Sequence, residues 1–340
     1  MSDAEFDTFL KTVAAGGKLA IDESSRAFAL IMDGSVSDVR IAAFVTALAV
    51  RKPTIDEIVG AVHAMRSAMT PIEANPYAID LCGTGGDGAG TLNISTACAF
   101  VVSSCGVPVA KHGNRNMSSK SGTADCLEAL GVKIDIGPAD ASRCLREAGL
   151  CFLFAQTYHP AMKHAARVRQ ALGFRTIFNL LGPLSNPAHV RRQLVGVYAR
   201  EWVEPVADAL ARLGTDHAWV VHGDGLDEIA ISGPTRVAML ADGKVTVHDI
   251  GPEDAGLSWS PLSTLAGGTA AENAAALRRL LDGETGAYRD IVLINSAAAL
   301  VIGGKVHDLK AGVALAATAI DNGAAKAKLD ALVAISNVRS

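Results

Sequence analysis

Short apolar runs alternate with helical segments through the middle of this chain, and most of the runs stop at a glycine-rich or charged cluster. The runs at 78–82, 107–111, 132–136, 150–154, 193–198 and 217–222 read as strands. Strands joined through helices pair side by side in parallel, and the helices then cover both faces of the sheet. The alternation therefore predicts an α/β fold with a central, mostly parallel sheet flanked by helices. It also says where chemistry belongs, because ligands of such sheets bind beyond the carboxyl ends of the strands.

Polar clusters sit at those ends. The first lies within 80–96, DLCGTGGDGAGTLNIST, where Gly83, Gly85 and Gly86 follow the run at 78–82. Glycine lets backbone N–H groups approach a ligand and tolerates positive φ. A glycine turn leading from a strand into a helix favours anions, through free N–H groups and the helix dipole. Neither GxGxxG nor GxxxxGK[ST] is present, so no standard phosphate fingerprint names the ligand. Asp87, Asn93, Ser95 and Thr96 in the same stretch suggest a phosphate-rich ligand with a cation beside it.

The second cluster is Lys111, His112, Gly113, Asn114 and Arg115, followed by Ser118, Ser119 and Lys120. It would open on the same sheet edge, and lysine, arginine and serine hydroxyls are good phosphate partners. The third cluster, at 222–228, carries adjacent Asp227 and Glu228. On a turn both can reach a cation, and magnesium is usually held by one or two carboxylates plus substrate phosphates. Any of the three could by itself be an ordinary polar turn; their coincidence in one chain favours a site.

The flanks read as helical. Ile41, Phe44, Val45 and Leu48 fall at i, i+3, i+4 and i+7, and Thr54, Ile55, Asp56 and Glu57 form a capping box. Thr70 and Pro71 end that helical region, and 72–77 reads as a linker. The stretch 168–184 interrupts the alternation with a long helical pattern. Short strands are expected in 229–250, then alanine-rich helices at 269–303 and 310–334. Hydrophobic residues make up 49 % of the chain and aromatics 5 %, so the core is expected to be aliphatic. No apolar run approaches the roughly 18 residues of a membrane span. The acidic start lacks a signal-peptide core, so a cytoplasmic protein is expected. A net charge of −4 argues against general nucleic-acid affinity. The six cysteines form no CxxC pair and read as small buried hydrophobes.

Taken together, these motifs resemble the anthranilate phosphoribosyltransferases, of the nucleoside phosphorylase-like phosphoribosyltransferase superfamily. The resemblance rests on GTGGD (83–87), NIST (93–96), KHGNR (111–115), SS (118–119), GTAD (122–125), LEALG (127–131), HPAMK (159–163), VRQALGFRTIFNLLGPLSNP (168–187) and DE (227–228), in family order. Departures fall at Cys82, Asn116, Met117, Thr123 and Gln156, none of them given a chemical role. The resemblance implies a small discontinuous helical domain (1–72 and 165–188) and a larger α/β domain (73–164 and 189–340). It implies transfer of a phosphoribosyl group from phosphoribosyl pyrophosphate to anthranilate, with Mg²⁺ as cofactor and a homodimer as the assembly.

Residue by residue, Gly83, Thr84, Gly85, Gly86, Asp87, Thr91, Asn93, Ser95, Thr96, Lys111 and Ser119 would bind phosphoribosyl pyrophosphate. Ser95, Asp227 and Glu228 would ligate Mg²⁺. Gly83, His112, Asn114, Arg169 and Pro183 would face anthranilate. His112 would either take the amine proton late or simply orient its loop. A pyrimidine nucleoside phosphorylase shares the fold, but its phosphate-loop lysine–serine pattern is not seen here. A nucleic-acid-binding relative should lack the magnesium carboxylates and carry a basic surface.

Overall fold

The computed structural model describes residues 2–115 and 121–338. Helices α1 (Ser2–Ala14), α2 (Ile21–Met32), α3 (Asp38–Arg51) and α4 (Ile55–Ala68) open the chain. The α3 stripe of Ile41, Phe44, Val45 and Leu48 is buried, as helical spacing requires. Thr54 Oγ1 accepts from Glu57 N, and Glu57 Oε2 accepts from Thr54 N. The other Glu57 oxygen accepts from Leu19 N and from Arg51. One fully buried carboxylate thus starts α4 and ties it to its neighbours.

Among the described residues, seven strands form one sheet in the order β3-β2-β1-β4-β5-β6-β7. They are β1 (Ile79–Gly83), β2 (Val109–Gly113), β3 (Leu150–Phe154), β4 (Arg192–Gly196), β5 (His217–Gly223), β6 (Thr235–Ala241) and β7 (Lys244–Ile250). β1 to β5 run parallel, and β6 and β7 add an antiparallel hairpin. The chain moves outward from β1 to β3 and then returns to the other side of β1 as β4. That reversal creates a switch point between β1 and β4, where a crevice opens at the strand ends.

α5 (Ile94–Ser104), α6 (Thr123–Ala129), α7 (Pro138–Ala148) and the one-turn α8 (Ala155–Tyr158) accompany the first strands. α9 (Lys163–Leu172) and the short α10 (Phe178–Leu181) precede β4, and α11 (Val203–Arg212) precedes β5. α12 (Ala270–Leu281), α13 (Ala287–Ile302), α14 (Leu309–Asp321) and α15 (Ala324–Asn337) close the chain. Side chains of β5 alternate between two cores, as a covered strand requires. Trp219 and Val221 join α5 and α13, whereas Ala218 and Val220 join α11 and the opening helices.

Two expectations need correction. The segment 132–136 is not a strand, although Val132, Ile134 and Ile136 alternate inward. Its backbone bonds go elsewhere: Lys133 N donates to Ser336 Oγ, and Ile136 O accepts from the Tyr158 hydroxyl. The stretch 168–184 is not one long helix either. Gly173, left-handed at φ 65, ends α9 before α10 begins. α9 packs on α2 and α3, and α10 packs on α4. A chain of rings runs from Phe6 to Phe44, Phe28 and Phe178, with centroids 5.2, 5.8 and 5.6 Å apart. The return to the sheet is fastened at Asn186, whose amide donates to Asp80 Oδ2 and Ala110 O.

Candidate active site

Adjacent strands end in glycine at the switch point: Gly83 on β1, Gly196 on β4 and Gly223 on β5. One object requires all of them. The turn bearing Asp227 and Glu228 folds back over the strand ends. A Cβ at Gly83 would stand 2.1 Å from Asp227 Oδ2, and one at Gly196 would stand 1.5 Å from the Asp227 carbonyl oxygen. A Cβ at Gly223 would meet the Glu228 carbonyl oxygen at 2.7 Å. From behind, Asn295 of α13 holds the turn, accepting from Ile229 N at 2.9 Å and donating to Ile229 O at 2.8 Å. Thr235 Oγ1 accepts from Ala230 N at 3.0 Å.

The turn meets the glycine loop and the start of α5. Asp227 Oδ2 accepts from Gly85 N at 2.7 Å, and Glu228 accepts from Ser95 N. Gly85 and Gly86 take φ of 68° and 75°, a region closed to most side chains. Gly83, Gly85, Gly86, Asp87, Thr91, Asn93, Ser95, Asp227 and Glu228 line a cavity of about 720 Å³. Gly267 and Asn273 complete its wall; Asn273 donates to Asn93 Oδ1 at 2.9 Å.

The electrostatics of this cavity are unbalanced. Burial raises the Asp227 carboxyl far above its ordinary value, and Asp87 beside it adds to the effect. Burial, with the Asp227 charge second, raises Glu228 to about 8. Lys111, the nearby buried cation, donates to Leu81 O and Ser95 Oγ. No salt bridge neutralises Asp227 or Glu228 among the described residues. The Lys111 charge offsets only part of the cost at Glu228, and buried carboxylates without a direct ion pair are costly. Their hard oxygens fit a magnesium ion, with the remaining coordination left to ligand oxygens and water. Among the described residues no group of three or more His, Cys, Asp or Glu side chains forms an all-protein metal centre.

A second cavity, about 650 Å³, lies between the strand ends and the α9–α10 segment. Gly83, Thr84, His112, Asn114, Arg169 and Pro183 all line it. Arg169 is half-buried over the Phe178 ring, 5.7 Å from its centroid, and burial lowers its pKa. It has no carboxylate partner among the described residues, so it is open to a planar anion. His112 Nδ1–H donates to Gly182 O at 3.2 Å, while its buried Nε2 has no partner. Burial, with His159 5.0 Å away, pushes the His112 pKa down to about 3. The ring is neutral, with a free lone pair.

The two cavities share Gly83. Thr84 faces the second cavity and not the first. Lys111 and Thr96 line neither: Lys111 lies behind Ser95, and the Thr96 hydroxyl meets that of Thr123 at 3.4 Å. Ser119, with Ser118 and Lys120, lies outside the described residues. Arg115 points to Asp125 and Glu128 instead of a cavity anion. Gly196, Gly223, Asn273 and Asn295 are parts of the site that the motif reading did not name. Asn295 did leave a trace, since it interrupts an apolar run in α13.

Family comparison first gives the class. Residues 75–326 match the model described as glycosyl transferase family, a/b domain, and residues 7–69 match glycosyl transferase family, helical bundle domain. Individual relatives narrow it. An anthranilate phosphoribosyltransferase from Rhodopseudomonas palustris (strain BisB18) is 56 % identical over 98 % of each chain. The crystal structure of the anthranilate phosphoribosyltransferase from Thermus thermophilus matches with a TM-score of 0.93 at 43 % identity, covering 97 % of this chain and 99 % of that one. The Saccharomyces cerevisiae enzyme, solved in complex with PRPP and Mg, matches with a TM-score of 0.89 at 28 % identity over 98 % of each chain. The chain belongs to the anthranilate phosphoribosyltransferase family.

Proposed function

We propose that the two cavities divide the substrates of one reaction between them. The chain transfers the 5-phosphoribosyl group of phosphoribosyl pyrophosphate to the amine of anthranilate, releasing pyrophosphate, as a step of tryptophan biosynthesis. The glycine-lined cavity takes phosphoribosyl pyrophosphate: the N–H groups of Gly86 and Asp87, with Thr91, Asn93 and the α5 N-terminus, receive its phosphate oxygens, while the Thr84 and Gly85 N–H groups hold the loop to Gly196 O and Asp227. Lys111 contributes from behind, by orienting the Ser95 hydroxyl. Asp227, Glu228 and Ser95 hold Mg²⁺, which when bound offsets the negative charge of the pyrophosphate.

Anthranilate occupies the second cavity. Arg169 pairs with its carboxylate, Asn114 and Pro183 border the ring, and His112 Nε2 accepts from the amine. An aromatic amine is neutral near pH 7 and attacks without prior deprotonation. His112 therefore works as a positioning acceptor. Its depressed basicity argues against a role as general base. Positioning the amine and stabilising the leaving charge are the main catalytic contributions.

The observation that carries this reading is Gly83, which borders both cavities and so sets them side by side at one strand end. The helical layer of 1–72 and 165–188 forms one side of the cleft, and the α/β layer of 73–164 and 189–340 forms the other. The ring contact between Phe28 and Phe178 supports that grouping. The chain works as a homodimer in the cytoplasm. Val39 and Val50, 79 % and 83 % exposed on one face of α3, supply apolar surface for pairing. No helix is long and apolar enough to cross a membrane among the described residues.

The test is the loss of anthranilate fluorescence on adding phosphoribosyl pyrophosphate and Mg²⁺. The signal should fall with both present and stay constant in EDTA. A constant signal with both present would refute the reading.

A further inference from the structure

Arg175 is a cation that the roles above leave unused. It sits in the turn between Gly173 and α10, in the helical layer. That turn is held by Ile177 and Phe178, both buried in the helical core, and by Thr176 N donating to Asn179 Oδ1 at 2.9 Å. Arg175 leaves its own layer and lies on Tyr198, 4.4 Å from the ring centroid. Tyr198 follows β4, and its N–H donates to Thr84 Oγ1 on the glycine turn at 3.0 Å. A Cβ on Gly86 would be 3.3 Å from Arg175 Nε. The guanidinium is part of neither cavity wall but stands next to Gly86, which lines the glycine-lined cavity, beside the loop whose Gly86 and Asp87 N–H groups face an anion.

Its charge is also uncommitted. Other exposed arginines, Arg26, Arg200 and Arg212, each pair with a carboxylate. Arg175 has no such partner among the described residues, and an aromatic face holds a guanidinium without neutralising it. A planar fork of donors suits a phosphate oxygen pair better than a point charge does.

We propose that Arg175 is a catalytic residue that contacts the pyrophosphate of bound phosphoribosyl pyrophosphate and stabilises the charge gained as it leaves. This rests on the assignment of that substrate to the glycine-lined cavity. In the step, the C1–O bond breaks with its electron pair staying on the pyrophosphate oxygen. The amine lone pair forms the C1–N bond, and the resulting ammonium proton passes to water. Arg175 thereby joins the helical layer, which holds anthranilate through Arg169, to the leaving group on the opposite layer.

The experiment compares wild type, Arg175→Ala and Arg175→Lys in the full-length enzyme with saturating Mg²⁺. It reads kcat, both KM values, inhibition by pyrophosphate and Tm. Removing one preorganised donor should lower kcat/KM for phosphoribosyl pyrophosphate about 10- to 100-fold and weaken pyrophosphate inhibition about tenfold. The anthranilate KM should stay within about twofold, which a collapsed inter-layer contact would not allow. Arg175→Lys should recover part of kcat. Wild-type pyrophosphate inhibition and kcat in Arg175→Ala would overturn the inference. So would an equal rise in both KM values accompanied by a lowered Tm, the mark of a merely structural bridge. A wild-type enzyme that leaves anthranilate unconsumed would instead refute the functional reading beneath it.

Discussion

Among the described glycines, Gly196 leaves the least room for a methyl group, so Gly196→Ala is a severe small change. The new methyl carbon would stand 1.5 Å from the Asp227 carbonyl oxygen, where ordinary contact begins at 3.4 Å. The turn would have to retreat by about 2 Å, since close-packed surroundings leave little slack. Behind it stand Asn295 and Thr235, whose three bonds to Ile229 and Ala230 would be strained or broken. Each such bond contributes about 1 kcal/mol, so the variant should be less stable but still fold. Asp227 and Glu228 would also move away from Gly85 and Ser95. A misplacement of about 1 Å costs about 10²-fold in rate, so kcat should fall by at least that factor. The Mg²⁺ concentration for half-maximal rate should rise as well. Anthranilate fluorescence gives both values, with Tm and circular dichroism as checks on folding. Gly137→Ala is the control, because its φ is −78° and nothing lies within 4 Å of the new Cβ. A folded Gly196→Ala enzyme with wild-type Mg²⁺ dependence and kcat would refute the claim that these glycines exist to seat the turn.

Arg169→Ala should raise the anthranilate KM about 10- to 100-fold, the value of a charge-assisted hydrogen bond, and leave the phosphoribosyl pyrophosphate KM nearly unchanged in steady-state assays. Glu228, raised to about 8 by burial, makes the metal-free protein pH-sensitive in a defined direction. Its contribution is full below the ordinary carboxylate range and is lost as pH rises through about 8, because ionisation in the buried site is disfavoured. Metal-free Tm should therefore drop toward pH 8 in wild type and less so in Glu228→Gln, and Mg²⁺ should restore the wild-type value only. His112, lowered to about 3, has the opposite sign. Its contribution is present above the ordinary histidine value of about 6.5 and fades as pH falls toward 3, so His112→Gln should unfold at lower pH in an acid titration. An inflection in the wild-type pH–rate profile near pH 6 that disappears in His112→Gln would contradict the neutral positioning role.

The parts of this molecule that could be read from sequence are those whose cause is local. Thr54 and Glu57 start α4 with a bond spanning three residues, so the capping box predicts the helix correctly. The strand–helix alternation sets the parallel sheet because short connections leave few other pairings. Period-two burial at 132–136 misleads for a physical reason. Alternation reports which side chains turn inward and says nothing about which groups accept the backbone hydrogen bonds, and here Ser336 and Tyr158 take part instead of a strand. The site divides along the same line. Gly85, Gly86, Asp227 and Glu228 stand out because each cluster is contiguous. Gly196 and Gly223 do not, since the reason for each is a clash with a turn that only the folded chain brings back. Lys111 reads as a phosphate ligand from its strand-end position, yet its ammonium faces Leu81 O and Ser95 Oγ. A motif names the groups a chain can present to a substrate. The missing side chains that let those groups converge belong to positions far away in the chain, and they are recognised only from the distance a methyl group would have to occupy.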